Sequence, residues 1–317
     1  MTVFIRYFFT LFVFLLSSIS NAQSITSEPV SAPNKASHAR LISAERAKEL
    51  SRNYNEKIIN FNKGEVTSDA NAVWYSIKEL EDYFSYVKKE GTAKGYEVNG
   101  IRFYYGSYPV TEKDGRAGLT TLFLSPTGNL AHLSEASKTI EGDSNDIAEL
   151  SPLNFGTMGN PPKIEYGAQA ITSDRISTSK KGSHARLVSV ERAKELSRNY
   201  NEKILMFNRA EVSSDANAVW YSIKELEDYI AYIKKEGAEK GYEVNGIRFY
   251  YGSYPVTEKE GRAGLTTLFL SPTGNLVHLN ETSKKIEGDS NDITELSPLN
   301  YGGMGHPPKI DYMSNKY

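Results

Sequence analysis

The sequence predicts an α+β protein made of two tandem copies of a small domain, each with two or three helices packed on a mainly antiparallel sheet. The first observation is that residues 37–166 recur as residues 183–312, with 108 of the 130 positions identical, which suggests two modules able to fold alone. The second is that each copy begins with two stretches whose apolar residues recur every three or four positions, as on one face of a helix. The third is that aromatic and branched residues then alternate around glycine-containing turns, which is typical of paired strands.

Two amphipathic helices are expected near the start of each copy. The first follows Ser43, whose hydroxyl can cap a helix start. Its apolar stripe consists of Ala47, Leu50, Tyr54, Ile58 and Phe61. The second follows Ser76, which can form an S-x-x-E capping box with Glu79. It is expected to end at Gly91 or Gly95, because glycine adopts the left-handed terminal conformation at little cost.

Strands are expected on both sides of the second helix. The stretch GIRFYYGSYP occupies residues 100–109 and recurs letter for letter at residues 246–255. Its alternating aromatic and branched residues favour a strand, and LTTLFLS at residues 119–125 favours a second one. An Asp-Gly turn between the two would join them as antiparallel neighbours. The short stretch AVWY at residues 72–75 is interpreted either as a short strand or as an aromatic plug.

The repeated tyrosine-rich strand is the candidate ligand-binding site. Alternation turns one row of side chains towards the helices, namely Ile101, Phe103 and Tyr105. The other row would then share an open face: Arg102, Tyr104 and Tyr108 in the first copy, and Arg248, Tyr250 and Tyr254 in the second. Gly106 leaves a gap between two tyrosines, where a flat ring of a sugar or a base could sit. In the alternative interpretation the second face of the sheet is covered too, and these residues belong to the core.

Other chemistry has less support in the sequence. The chain has no cysteine, which excludes disulfides, thiol catalysis and thiolate metal sites. A net charge of −2 provides no basic excess for nucleic acid. No catalytic, metal or cofactor motif is recognisable, so we predict no catalytic residues, no metal and no cofactor. If the protein is an enzyme nevertheless, its acid or base would be His132 or one of Glu141, Asp143 and Asp146.

The first residues of the chain predict export. Residues 1–22 combine a positive charge at Arg6, an apolar run and small residues up to Ala22, which is typical of a cleaved signal peptide. The apolar run of about ten residues is too short to favour the alternative of a membrane anchor. The remaining segments outside the copies are a flexible leader (residues 23–36), a linker (residues 167–182) and a short tail (residues 313–317). We therefore expect an exported protein, periplasmic or secreted, with no membrane span after cleavage.

These observations predict a non-catalytic binding module for a glycan, a peptide or an envelope polymer. Two tethered copies could engage a repetitive ligand together and gain avidity. The first alternative is a structural or protein-interaction component of the cell envelope, which would bind protein through a helix face or a strand edge. The second alternative is a hydrolase that acts on extracellular material.

Overall fold

The computed structural model describes residues 40–61, 69–113, 115–138, 145–158, 166, 186–207, 215–259, 261–278 and 291–304. The predicted signal peptide, leader, linker and tail lie outside these ranges. Within them the fold is α+β, as predicted, with four α-helices and two antiparallel sheets of five strands. None of the helices in these ranges is both long enough and apolar enough to cross a membrane.

The same order of α-helices and strands occurs in both copies. The helices are α1 (Ala44–Phe61), α2 (Ile77–Ala93), α3 (Val190–Phe207) and α4 (Ile223–Glu239). The strands of the first copy are β1 (Ala72–Ser76), β2 (Tyr96–Ser107), β3 (Thr120–Leu130), β4 (Asn145–Asp146) and β5 (Thr157–Met158). Those of the second copy are β6 (Ala218–Ser222), β7 (Tyr242–Ser253), β8 (Thr266–Leu276), β9 (Asn291–Asp292) and β10 (Gly303–Met304).

Local sequence signals place the helix boundaries close to where they were expected. Ser43 Oγ accepts a hydrogen bond from the Arg46 backbone N–H at 3.2 Å, in the first turn of α1. Ser76 and Glu79 form the predicted capping box at the start of α2. Just beyond the end of α2, Gly95 has a φ of +80°, the left-handed conformation that favours glycine. Because β1 ends at Ser76 and α2 begins at the next residue, the strand runs into the helix without a loop.

Each sheet takes strands from both copies. One sheet has the order β5-β1-β7-β8-β9, and the other has the order β10-β6-β2-β3-β4. β1 of the first copy pairs with β7 of the second, with Trp74 opposite Arg248. Reciprocally, β6 of the second copy pairs with β2 of the first, with Trp220 opposite Arg102. The structure therefore differs from the expectation of two modules that fold alone, because neither copy completes a sheet by itself.

Each copy extends an arm, which is α1 with β1 in the first copy and α3 with β6 in the second, onto the other copy's sheet, and the short strand β5 or β10 of the same copy adds to that sheet beside the arm strand. α1 packs on β7 and α3 packs on β2, so each arm helix lies on the sheet that its own strand joins. β1 passes directly into α2, with no turn between them. On one side β1 pairs with β7 of the other copy, and on the other side it pairs with β5 of its own copy.

The inner faces of the two sheets form the centre of the core. Phe103 stacks on Phe249 with ring centres 5.4 Å apart, and Tyr105 meets Tyr251 edge to face at 5.6 Å. Equivalent residues of β2 and β7 thus meet at two consecutive inward-facing positions. Because the contacts advance along both strands together, the strands run side by side in the same direction. The copies are accordingly related by an approximate twofold axis along the two strands. Any site on this axis is built by both copies.

Candidate functional site

The six residues predicted to bind a ligand are buried. Their exposed fractions are 0% for Tyr104, 2% for Tyr108, 6% for Arg102, 0% for Tyr250, 2% for Tyr254 and 4% for Arg248. Both faces of the tyrosine-rich strand are sealed from solvent, so the prediction of an open face is wrong. The alternative interpretation, in which the second face of the sheet is covered as well, describes the structure. These residues were predicted to form a binding surface because they were expected to be exposed, and their burial removes that reason.

The arm helix of the other copy covers the face that was expected to be open. A Cβ atom at Gly106 would lie 3.0 Å from the Cβ atom of Leu196 in α3, so the predicted gap already holds a side chain. Beside it, Tyr104 stacks on Phe123 of the neighbouring strand with ring centres 5.1 Å apart. Leu196 belongs to the second copy, and the local pattern of the strand therefore could not reveal this cover.

Arg102 and Tyr104 bind a carboxylate of the chain itself. The Tyr104 hydroxyl donates to Asp146 Oδ2 at 2.6 Å, and Arg102 Nη1 lies 3.2 Å from Asp146 Oδ1. Burial raises the pKa of Asp146, although the Arg102 charge acts in the opposite direction. Burial and the nearby Asp146 charge raise the pKa of Tyr104 well above its ordinary value, so the phenol stays protonated and donates. The second copy repeats this network with Arg248, Tyr250 and Asp292.

Tyr108 contributes to the contact between an arm and its host sheet. Its hydroxyl donates to Asn154 Oδ1 at 2.9 Å. The guanidinium groups of Arg116 and Arg192 lie over its ring, 5.0 and 5.7 Å from the centre. Arg192 Nη2 also donates to Glu112 Oε2 at 2.5 Å. Because Arg192 belongs to the arm of the second copy, this cluster fastens that arm to the β2–β3 hairpin of the first.

The residues considered for a hydrolase are not brought together within the described ranges. His132 is exposed, whereas the Asp146 side chain is only 7% exposed and belongs to the buried network. Glu141 and Asp143 lie outside the described residues. Among the residues that the structure describes, no group of three or more His, Asp or Glu side chains is placed to hold a metal ion. The described geometry therefore gives the hydrolase alternative no acid–base pair.

A small axial cavity lies between α1 and α3, and equivalent residues of both copies line it. Its volume of about 30 Å³ accommodates about two water molecules. Lys57 Nζ donates to Asp215 Oδ2 at 2.6 Å. Reciprocally, Lys203 Nζ donates to Asp69 Oδ2 at 2.6 Å, and each ammonium also donates to a glycine carbonyl and a threonine hydroxyl. The axial cavity therefore joins the copies and is too small for an organic ligand.

A larger concave site, the interhelix niche, lies between α2 and α4. Its volume is about 460 Å³. Phe84 and Ile230 form a buried floor, and Ser85 and Ala231 stand exposed beside them. The other lining residues are charged: Glu81, Glu227 and Lys234. The interhelix niche thus combines an apolar floor with a charged rim, and both copies contribute to it.

Two salt bridges span the interhelix niche. Lys88 Nζ donates to Glu227 Oε1 at 2.5 Å. Lys234 Nζ donates to Glu81 Oε1 at 2.5 Å. This pairing requires α2 and α4 to be antiparallel, and the seven-residue spacing within each helix separates the bridges by about 10 Å. Because all four side chains are close to half exposed, the bridges are weak and their charges are accessible to a ligand.

The two walls of the interhelix niche are chemically different. α2 and α4 differ at five of their 17 positions, which is a larger share than in the rest of the two copies. Phe84 in one copy corresponds to Ile230 in the other, and Ser85 corresponds to Ala231. The first change is typical of a core that tolerates apolar substitution. The second change, at an exposed position, is the sequence signal that could have pointed to this site.

No protein-family model matches the chain, and neither a curated protein nor a solved structure matches it. The geometry of its own residues is therefore the basis for a functional proposal.

Proposed function

We propose that the protein is an exported, non-catalytic binding protein whose ligand is a peptide segment with an apolar side chain that enters the interhelix niche. The observation that carries this proposal is the niche itself. Its volume of about 460 Å³ lies within the range of roughly 300–1,000 Å³ that is usual for ligand sites. The axial cavity, by comparison, is more than tenfold smaller at about 30 Å³.

The composition of the niche favours a peptide over a glycan. Glycan sites need several hydrogen-bonding side chains and an exposed aromatic face. The niche has hydrogen-bonding groups on Glu81, Glu227, Lys234 and Ser85, but its aromatic residue, Phe84, is buried in the floor and presents no open ring face. Phe84 and Ile230 are only 2% and 4% exposed, so an aliphatic or aromatic ligand side chain above this floor would contact mainly Ala231 and would gain less than the roughly 1.5–3 kcal/mol of full burial.

The charged rim favours a peptide whose apolar residue is flanked by charged residues. The rim of the niche carries the carboxylates of Glu81 and Glu227 and the ammonium group of Lys234, and the Lys88 partner of Glu227 lies outside the lining. A flanking residue of either sign therefore finds an opposite charge on the rim. Such a segment could belong to a partner protein, and the structural or protein-interaction alternative would then use the same niche.

The test is a peptide-binding screen that compares the unchanged protein with a variant whose niche is occupied by large side chains. We expect the purified protein to bind members of a peptide array, with apolar residues flanked by charges among the positives. The double variant Ser85→Trp, Ala231→Trp should weaken binding to those peptides by about tenfold or more, because large rings would occupy the site. Fluorescence anisotropy with the best peptides gives the dissociation constants.

A matched control places the same substitution on exposed helix positions outside the niche. Lys48→Trp with Lys194→Trp changes α1 and α3 at equivalent solvent-facing positions. This control should bind as the unchanged protein does. Equal peptide binding by the niche variant and the unchanged protein would remove the interhelix niche as the site. Binding to a glycan array alone would contradict the peptide assignment.

A further inference from the structure

We propose that a second copy of this chain is a binding partner, and that two chains assemble by exchanging their arms. In the resulting closed dimer, the first copy of each chain pairs with the second copy of the other chain. Both pairings use the contacts that join the two copies within one chain. The proposal does not depend on the interhelix niche or on its ligand.

The docking sites for the two arms have the same chemistry. Lys57 of the first arm pairs at 2.6 Å with Asp215, which lies between α3 and β6 of the second arm, and Lys203 of the second arm pairs in the same way with Asp69, between α1 and β1 of the first. Similarly, Arg46 pairs with Glu258 at 2.6 Å, as Arg192 pairs with Glu112 at 2.5 Å. Because residue types and distances agree, either arm meets the same partners on either copy. These contacts therefore require that an arm docks on another copy, but they are the same whether that copy belongs to the same chain or to a second chain.

Each arm forms a substantial part of its host. β1 adds five consecutive residue pairs to β7, from Ala72 opposite Tyr250 to Ser76 opposite Gly246. The α1 residue Leu50 is fully buried, and its Cβ atom lies 3.0 Å from the position that a Cβ would take at Gly252. An undocked arm would leave these backbone groups and apolar side chains in water. A copy whose sheet carries no docked arm thus has a strong tendency to accept an arm from another copy.

The arm strand β1 pairs with β7 of the second copy, and among the described residues its other strand partner is the short β5. An arm therefore needs another copy as its host, and that copy belongs either to the same chain or to a second chain. The segment between the copies decides the outcome at a given concentration. The predicted linker, residues 167–182, would hold the second copy at an effective concentration of roughly millimolar. Single chains should dominate at micromolar concentration, and two-chain assemblies should form as the concentration approaches millimolar.

A designed disulfide reports which chain supplies an arm. Leu50→Cys with Gly252→Cys introduces the only two cysteines of the chain, at an arm and at its host strand. Their Cβ positions are 3.0 Å apart and must separate by about 0.5–1.5 Å to reach the roughly 3.5–4.5 Å of a disulfide. The full-length variant is unfolded under reducing conditions, refolded at increasing concentration, oxidised, and run on a non-reducing gel. An arm from the same chain gives a band at one chain mass, and an arm from a second chain gives a band at two.

We expect the two-chain band to hold a few per cent of the chains after refolding at about 10 µM, and roughly a third or more at about 1 mM. The equivalent pair Leu196→Cys with Gly106→Cys tests the other arm and replaces the first pair if that variant does not refold. Single-cysteine variants should give no two-chain band, because each cysteine would be buried. A one-chain band alone at every concentration would overturn the proposal. Failure of both pairs to form any disulfide in a folded chain would overturn the arm exchange itself.

Discussion

Arg102 and Asp146 form an ion pair that is almost completely removed from solvent, with 7% of each side chain exposed. Removing two charges from water costs several kcal/mol for each ion, and only close contact and additional hydrogen bonds offset this cost. The Tyr104 hydroxyl supplies one such bond to Asp146 at 2.6 Å. Burial is nevertheless the largest influence on the pKa of Asp146 and raises it. The carboxylate thus depends on its partners to remain ionised inside the protein.

The variant Arg102→Met should be destabilised at neutral pH by about 3–5 kcal/mol, because it leaves Asp146 ionised and without its cation. Without Arg102 the pKa of Asp146 in the folded protein rises further above its value in the unfolded chain. The destabilisation should therefore be complete above the folded pKa and should shrink as the pH falls through it, because the folded state then takes up the proton. Urea unfolding at pH 7 and at about pH 4.5 measures both effects.

Two variants serve as controls for this prediction. Arg102→Met with Asp146→Asn should recover part of the stability and should lose the additional pH dependence, because no buried carboxylate remains. Arg198→Met changes an arginine whose side chain is 69% exposed, and the stability should change by less than about 0.5 kcal/mol. A loss for Arg102→Met that is equally large at both pH values would contradict the role assigned to the Asp146 charge.

At the level of the elements, α3 docks on β2 at a position where a side chain larger than that of glycine would be crowded. A Cβ atom at Gly106 would lie 3.0 Å from Leu196 Cβ, 3.2 Å from Thr121 Cγ2 and 3.4 Å from Phe123 Cδ1. The first contact lies close to the helix backbone and cannot be relieved by a rotamer change. The backbone at Leu196 or Gly106 must move by a few tenths of an ångström instead. Gly252 has the same relation to Leu50 of α1.

The variant Gly106→Ala should lower the free energy of unfolding by about 1–3 kcal/mol, which is typical of overpacking in a well-packed core. Gly252→Ala should have a similar effect, because its surroundings are the same. Val110→Ala provides a control at a position that is 84% exposed, where less than about 0.5 kcal/mol is expected. Chemical denaturation of the three variants provides the comparison. A neutral effect of Gly106→Ala would show that the arm helix does not approach the strand this closely.

The helices and strands were predictable because their signals are local. The capping box of Ser76 and the alternation around Tyr104 lie within a few residues of the elements that they define. The surroundings of those elements were not predictable, since Leu196 reaches β2 from the other copy and turns an expected surface into core. The interhelix niche was missed for the same reason, because Phe84 and Ile230 meet only through the twofold arrangement. Neither residue belongs to a motif that would indicate a site.

For the whole molecule, the exchange means that the unit of folding is a pair of copies. In each sheet the long central strand of one copy is paired with the arm strand of the other. A single copy would expose the face of its sheet that the exchanged arm helix covers, together with its own undocked arm. Stability should therefore be coupled to association whenever the copies are separated.

A protein consisting of residues 183–312 alone should form a homodimer in which two identical copies exchange arms. Size-exclusion chromatography with light scattering should give the mass of two copies, and Tm should rise with protein concentration. Trimming to residues 215–304, which removes the arm helix, should prevent this folded dimer. A folded monomer of the single copy with native helix content would contradict the prediction.

The exchange also determines when the newly made chain can reach its native state. Trp74 Nε1 donates to Thr273 Oγ1, a residue 199 positions further along the chain. The arm of the first copy consequently has no host until the ribosome has delivered β7 and β8 of the second. Contacts of such long sequence separation form slowly. Until α3 and β6 of the second copy have been made, up to Ser222, the tyrosine-rich hairpin of the first copy lacks its covering helix, and this apolar face of the nascent chain is exposed to aggregation.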